Sequence, residues 1–441
     1  MKNCKLMLAA LGLGGLFLVN NAGAVNPVIM DQYTADPTAR VFEGKMYLYA
    51  SHDIPASPGR GRGGWFVMED YHAFSSENLI DWTDHGVILN QTNVPWLNGR
   101  TPFDMWAPDC VFKNGKYYYF YPTGGQIGVA IADKPYGPFT PEAQPIRGGR
   151  GIDPQVLLDT DGSAYLFWKG NPITVAKLAT NMLELDGPGR PIANLPSPGL
   201  IEGPFPFERN GIYYLVYPHV QNVIERLEYS TATNAMGPYK WAGVILDEAK
   251  SGCWTVQASA VQYKGDWILF YHDKELSPDF DKNRAVRADY MYFNDDGTIK
   301  KVIPTLRGVG IADAKSKMRI ARYSDVSKEG ATNSFLNEAN KFEGWKISLK
   351  GKDAWVQFDR VDFGTGGLKA VNVQSVSATG GTVEIHLDKT DGPLIAKVEI
   401  GKGTDWKAVN SKLATVPAGV HNLVVTQNED NVVDLDWISF E

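Results

Sequence analysis

The chain is poor in cysteine, in basic excess and in helical periodicity, and each shortage closes off a class of protein. Three cysteines in 441 residues cannot make a disulfide framework the basis of the fold. Lysine and arginine total 43 against 50 acids, a formal charge of −7. Without the basic footprint that phosphates require, nucleic acid is excluded as a partner. No stretch sustains apolar residues at helical spacing, and no Ser-His-Asp arrangement or metal-ligand spacing is visible. The one long apolar run, Leu6 to Val19, is too short to cross a membrane and no second span follows. Lys2 and Lys5 precede it and small residues follow at Ala22 and Ala24, the pattern of a secretory signal peptide over residues 1–24. The mature chain is therefore expected to be secreted or periplasmic. Its charge moves from −7 to −9 with the loss of Lys2 and Lys5, and Cys110 and Cys253 remain, expected as two buried free thiols.

What the chain has instead is a repeated phrase. "TADPTARVFEGKMYLYASHD", "APDCVFKNGKYYYFYPTGG", "IDPQVLLDTDGSAYLFWKG" and "IEGPFPFERNGIYYLVYPHV" each set an acid near a proline, ahead of an extended run, a glycine turn and a second apolar run. A fifth copy, "QASAVQYKGDWILFYHDKE", lacks the acid. The turn glycines Gly44, Gly115, Gly162, Gly211 and Gly265 are spaced by 71, 47, 49 and 54 residues. Periods of this order, built of strand, turn and strand, predict propeller blades, so residues 25–312 are expected to form a five-bladed β-propeller. In that geometry each acid precedes the innermost strand of its blade, and Asp36, Asp109, Asp153 and Glu202 converge at one mouth of one channel. Clustered carboxyls repel and raise one another's pKa, which separates an acid from a base. Asp109, in "APD" and not "DP", carries two readings, substrate contact or turn structure. Trp106 also carries two, an aromatic stacking wall for a ligand or blade packing. Trp82, Trp254 and Trp267 read as packing residues. The long insert "ASHDIPASPGRGRGGWFVMEDYHAF", placed between the first and second blades, is expected to wall the pocket.

The phrases "TADPTARVF", "MWAPDCVFKNGKYYYFY", "GIDPQVLLDTDG", "IEGPFPFERNGIYYLVY" and "ILFYHDKE" resemble the successive blade motifs of glycoside hydrolase family 43. The resemblance implies an inverting hydrolase of arabinose- and xylose-containing plant polysaccharides. It makes Asp36 the general base, Glu202 the general acid, and Asp153 the neighbour that raises and orients the acid. It also sets His272 at the base of the active centre near a water-ligated cation, which opens calcium as an ion beside the site; otherwise His272 is a satisfied core residue. Arg287 matches a family arginine that faces the active site, with a surface arginine as the alternative. No cofactor is required for the chemistry.

After "IKKVIPTLRGVG" the phrase disappears. Residues 314–441 show short alternating strands separated by Gly, Asn and Asp turns, which predicts a β-sandwich of the jelly-roll kind. The stretches "DAWVQFDRVDFGTGG" and "AGVHNLVVTQNEDNVVDLDWISFE" resemble carbohydrate-binding modules of family 6. Trp406 can serve as one stacking face. Asp434 stands where that resemblance implies asparagine, so the module reads equally as a sugar binder and as a buttress. Asp436 and Glu441 are candidate ligands of a structural calcium.

Two functions of different class follow: an exo-acting hydrolase of arabinoxylan, arabinan or xylan, and a non-catalytic glycan-binding lectin. The set Asp36, Asp153 and Glu202 favours the hydrolase, because a lectin has no use for carboxyls of divided pKa. Within it, α-L-arabinofuranosidase is expected first, then β-D-xylosidase or a bifunctional enzyme.

Overall fold

The computed structural model describes residues 25–441 apart from residue 197, so the signal-peptide reading of residues 1–24 lies outside the described residues. The protein is all-β, and its helices among those residues are three single turns, Gln91–Asn93, Pro95–Leu97 and Lys341–Glu343. No helix there is long and apolar enough to cross a membrane.

Residues 34–291 form five antiparallel sheets, four of four strands and one of three, each built from strands consecutive in the chain. The repeated glycine explains the first turn of each sheet. Gly44, Gly115, Gly211 and Gly265 have φ of 78°, 77°, 80° and 94°, and Glu43, Asn114, Asn210 and Lys264 before them are also left-handed, at 50–52°. Two consecutive left-handed residues make the mirror-image turn whose twist matches the flanking strands, and glycine enters it without a steric cost.

Five apolar clusters lie between neighbouring sheets. Tyr49 and Tyr119 join the first sheet to the second, Val111 and Leu166 the second to the third, and Phe167 and Leu215 the third to the fourth. Tyr214 and Leu269 join the fourth to the fifth, and Leu48, Ile268 and Phe270 return the fifth to the first. The sheets therefore close into a ring. Each such side chain, fully removed from water, contributes about 1.5–3 kcal/mol.

Closure is completed by backbone. Val28 N donates to Val286 O at 2.8 Å and Thr34 N to Arg284 O at 2.9 Å, so the segment ahead of the first strand lies along the outer strand of the three-stranded sheet. The buried side chain of Asn26 locks this seam, donating to Ala288 O at 3.1 Å and Thr305 O at 2.8 Å while accepting from Ala288 N at 2.8 Å.

Residues 312–440 form two six-stranded sheets around a single apolar core. Ala312 and Asp313 already pair with Val361 and Asp362, so the change from one set of sheets to the other falls before the expected division at 312. The two sets share apolar surface, since Val25, Met30, Ile80 and Leu276 belong to the same cluster as Ile347 and Phe358. Arg322, 2% exposed, crosses between them to Asn26 O and Glu275 Oε2, both at 2.6 Å, with its guanidinium 4.0 Å from the centre of the Trp345 ring. Cys110 and Cys253 are buried and unpaired, as expected.

Asn26→Ala would leave the Ala288 N–H and the Ala288 carbonyl without their side-chain partner at the seam, while Thr305 O keeps Arg287 Nη2. It is expected to lower stability by about 2–4 kcal/mol in denaturant or thermal unfolding.

Candidate active site

The side chains of Asp36, Asp153 and Glu202 open into one cavity of about 190 Å3. The local backbone explains how a strand aims them there. The strand Thr34–Phe42 carries a register shift between Ala35 and Thr38, and Asp36 inside it is left-handed at φ 48°. Asp153, at φ 54°, sits in the matching shift of the strand Ile152–Leu158. After Glu202 the left-handed residue is Gly203, at φ 45°, where an added Cβ would meet the Gln257 side chain at 2.9 Å. Bulges of this kind redirect a side chain out of the ladder, and strain held beside a cavity is a mark of function.

One wall holds a charged pair. Arg284, 3% exposed, donates from Nη1 to Asp36 Oδ1 at 2.9 Å and from Nη2 to Asp36 Oδ2 at 3.1 Å. Its other edge serves Asp53, from Nε at 2.9 Å and from Nη2 at 3.1 Å. Ser51 Oγ donates to Asp36 Oδ2 at 2.6 Å. Burial alone would raise the Asp36 carboxyl, but the charge of Arg284 and the hydrogen bond from Ser51 outweigh it and hold Asp36 below the usual carboxylate range.

The other carboxyls of the cavity are shifted the opposite way. Burial raises the carboxyl of Glu202, and the charge of Asp36 adds to the effect. Asp153, which accepts from Gly203 N at 3.1 Å, is pushed well up by burial and then by the charges of Glu202 and Asp36. A fourth acid, Glu225, is also pushed well up by burial and by Glu202; its Oε2 accepts from Val256 N at 2.7 Å. Glu225 Oε1 is buried with no hydrogen-bond partner among the described residues. The cavity thus holds one carboxyl lowered by an arginine together with three that burial raises.

Aromatic side chains shape the rest. Trp106 lines the cavity as expected. Trp254, read as packing, lines it too, whereas Trp82 and Trp267 are packed between sheets. The insert supplies Trp65, Phe66 and Met68 to the wall, although it connects the second and third strands of the first sheet and does not run between sheets. Phe66 lies with its ring centre 4.5 Å from the guanidinium carbon of Arg284.

Two expected residues, Asp109 and Arg287, lie elsewhere, and His272 sits beneath the cavity without lining it. Asp109 is fully buried outside the cavity, taking Arg40 Nε at 3.0 Å, Arg40 Nη2 at 2.7 Å and Val156 N at 2.6 Å, so it stitches the inner strands of three sheets. Its phase explains the difference: Asp36 and Gln257 stand eight residues before Gly44 and Gly265, and Asp153 and Glu202 nine before Gly162 and Gly211, but Asp109 stands six before Gly115. Arg287 also faces away from the cavity, reaching Glu275 at 2.8 Å and Thr305 O at 2.8 Å. The cavity arginine is Arg284, three positions earlier, and an odd offset along a strand changes the face. His272 lies under Asp36. Its Nδ1 accepts from Asp36 N at 3.1 Å, so the ring proton sits on Nε2, beside Thr255 Oγ1 at 3.1 Å and Arg284 Nη1 at 3.5 Å. Burial and Arg284 push its pKa down to about 3, and the neutral ring in this tautomer offers no lone pair to a cation. The residues therefore do not fit direct ligation of calcium by His272. Asp436 and Glu441 do not belong to a three-ligand group of His, Cys, Asp or Glu among the described residues.

Glu225, Gln257 and Arg284 line the cavity without having been anticipated. Gln257 was findable, because it shares the phase of Asp36. Glu225 stands outside the repeated phrase and gives no signal.

Comparison with known proteins agrees with this geometry. Residues 24–299 match the family model for glycosyl hydrolases family 43, and residues 320–441 match that for carbohydrate binding module family 6. A xylosidase/arabinosidase of Humicola insolens is 35% identical over 62% of this chain and 98% of its own length. An arabinoxylan arabinofuranohydrolase of Bacillus subtilis is 27% identical over 92% of this chain and 90% of its own. Among solved structures, a β-xylosidase/α-arabinofuranosidase from a compost metagenome, in complex with xylotriose, superposes with a TM-score of 0.57 at 33% identity, over 64% of this chain and 98% of that one. A cavity that holds one carboxyl low and raises others beside it has the acid and base character that cleavage of a glycosidic bond requires, and the chain belongs to glycosyl hydrolases family 43.

Proposed function

We propose that the protein is an exo-acting, inverting α-L-arabinofuranosidase that removes terminal arabinofuranose from arabinoxylan or arabinan. The observation that carries the reading is the division of charge in one small cavity, Asp36 held low by Arg284 and Glu202 raised by burial. Asp36 takes a proton from the attacking water, and Glu202 gives one to the leaving oxygen, with no covalent intermediate. Asp153 and Glu225 keep protons in the acid's neighbourhood. The ring of five sheets is read as a five-bladed β-propeller and the following sheets as a β-sandwich, with the domains dividing near residue 312.

A cavity of about 190 Å3 walled by Trp65, Phe66 and Met68 suits one terminal pentose better than a chain passing through. The Bacillus subtilis arabinofuranohydrolase, matched along both parts of the chain, supports arabinofuranose. β-D-Xylosidase activity, alone or beside it, is the second reading, supported by the Humicola insolens xylosidase/arabinosidase. Action on such polymers accords with export to the periplasm or beyond. The module reads here as a buttress: both oxygens of Asp434 are taken, one by Lys346 Nζ at 2.6 Å and one by Ser348 Oγ at 2.5 Å, and Arg322 ties the module to the ring.

The substrate reading is tested by paired initial rates on nitrophenyl α-L-arabinofuranoside and nitrophenyl β-D-xyloside, followed by product analysis on arabinoxylan. The expected result is a higher kcat/KM on the arabinofuranoside and release of arabinose alone. Xylose as the main product would establish the second reading instead.

The acid group is tested by a pH profile. Glu202 works protonated, so its group sets the basic limb, and Asp36 works ionised and sets the acidic limb. Asp153→Asn removes one negative charge that the group must otherwise accumulate on losing protons, which lowers the remaining pKa. The basic limb of kcat/KM should therefore move to lower pH while the acidic limb stays. A fall in rate with both limbs unmoved would make Asp153 a residue that positions the sugar and does not tune the acid.

A further inference from the structure

The first sheet carries a second cluster of titratable side chains, outside the cavity. Ser51 bonds Asp36 and Asp53 bonds Arg284, so these two face the active site, and His52 between them points the other way. The register Ser51 to Tyr71 and Ala50 to His72 sets His52 beside Asp70 and His72 of the neighbouring strand. One ligand atom from each of His52, Asp70 and His72 lies within 4.8 Å of the others. The two rings stand 5.0 Å apart at 72° to each other. All three side chains remain reachable from solvent, at 22%, 11% and 16% exposure.

The surroundings are arranged as around a metal. His72 Nδ1 lies 2.9 and 3.0 Å from the two oxygens of Asp84, so its proton is held there and Nε2 keeps the lone pair. A carboxylate behind a histidine in this way fixes ring and tautomer for ligation. His52 Nδ1 is 2.6 Å from Asp70 Oδ1, a contact through one proton that a cation can displace to water. Neither Nε2 has a hydrogen-bond partner among the described residues. Gln32 donates to Asp84 Oδ2 at 3.0 Å and keeps a buried Oε1 with no partner among them. Asp31 and Asp84 add negative potential at His72.

We propose that His52, Asp70 and His72 bind a divalent first-row metal ion of the zinc kind, for which two imidazoles and a carboxylate are suitable donors. The site has a structural consequence. His52 and Asp70 are the two ends of loop 53–69, which carries Trp65, Phe66 and Met68 to the cavity, so the ion clamps the neck of the loop that walls the active site.

The test uses the full chain without a polyhistidine tag, freed of metal by chelation and titrated with Zn2+ or Co2+ alone. Expected are one equivalent bound per chain, a visible Co2+ spectrum of low coordination number, and a rise in the thermal midpoint of the protein on adding Zn2+. His52→Gln and His72→Gln should each weaken binding at least tenfold, and Asp84→Asn, which removes only the carboxylate behind His72, about tenfold. Melts in chelator identify the variants that fold like the parent, and Asp84→Asn serves if both histidine variants do not. No saturable binding at millimolar metal, or equal affinity in parent and well-folded variants, would overturn the site and show a hydrogen-bonded brace instead.

Discussion

The guanidinium of Arg284, clamped between Asp36 and Asp53, is the interaction on which the rest of the site depends. Two buried carboxylates so close would otherwise repel, and at least one would take up a proton. Arg284 supplies both with charge-assisted bonds of 2.9–3.1 Å and so lets Asp36 stay ionised in a place that disfavours charge. Together with burial it also keeps His272 neutral below Asp36, and it gives Phe66 a cation to pack on. In the same cavity, Glu202, Asp153 and Glu225 have no arginine within bonding distance among the described residues, and burial pushes all three upward. The difference between Asp36 and these three carboxyls is therefore a difference of one bonded, buried cation.

Much of this was legible because the ring is a repeat. The turn glycine recurs since each of the five first turns holds a left-handed residue at that point, in four of them as a mirror-image turn, and Asp36 and Asp153 recur where their inner strands are redirected by a bulge. Asp36, Asp153 and Glu202 were found on that phase, and Gln257 was open to the same reasoning. Asp109 misled because an acid near a proline looks alike two positions out of phase, where it meets Arg40 and not the cavity. Arg287 misled in the same way, because Arg284 and Arg287 occupy one strand end and only their faces differ. Glu225 and Trp254 come from segments outside the phrase, and the tertiary fold alone brings them in.

The ring and the module are joined by more than a linker. Arg322 reaches back to Asn26 at the seam where the ring closes and to Glu275 beside it, so the same few residues secure closure and hold the module. Loop 53–69 fits the same pattern: it lies on the rigid first sheet, and its two ends are fixed by paired strands before it reaches the cavity. Positions that bear on the chemistry are thus held by groups that themselves touch no sugar.

The central claim is that Asp36 and Glu202 differ in charge before any substrate arrives, and it is tested most directly by NMR titration of isotope-labelled side-chain carboxyls in the free enzyme, assigned by Asp36→Asn and Glu202→Gln. The account predicts that the Asp36 signal titrates below the ordinary range for aspartate and the Glu202 signal above that for glutamate. Glu202 titrating below Asp36 would contradict it.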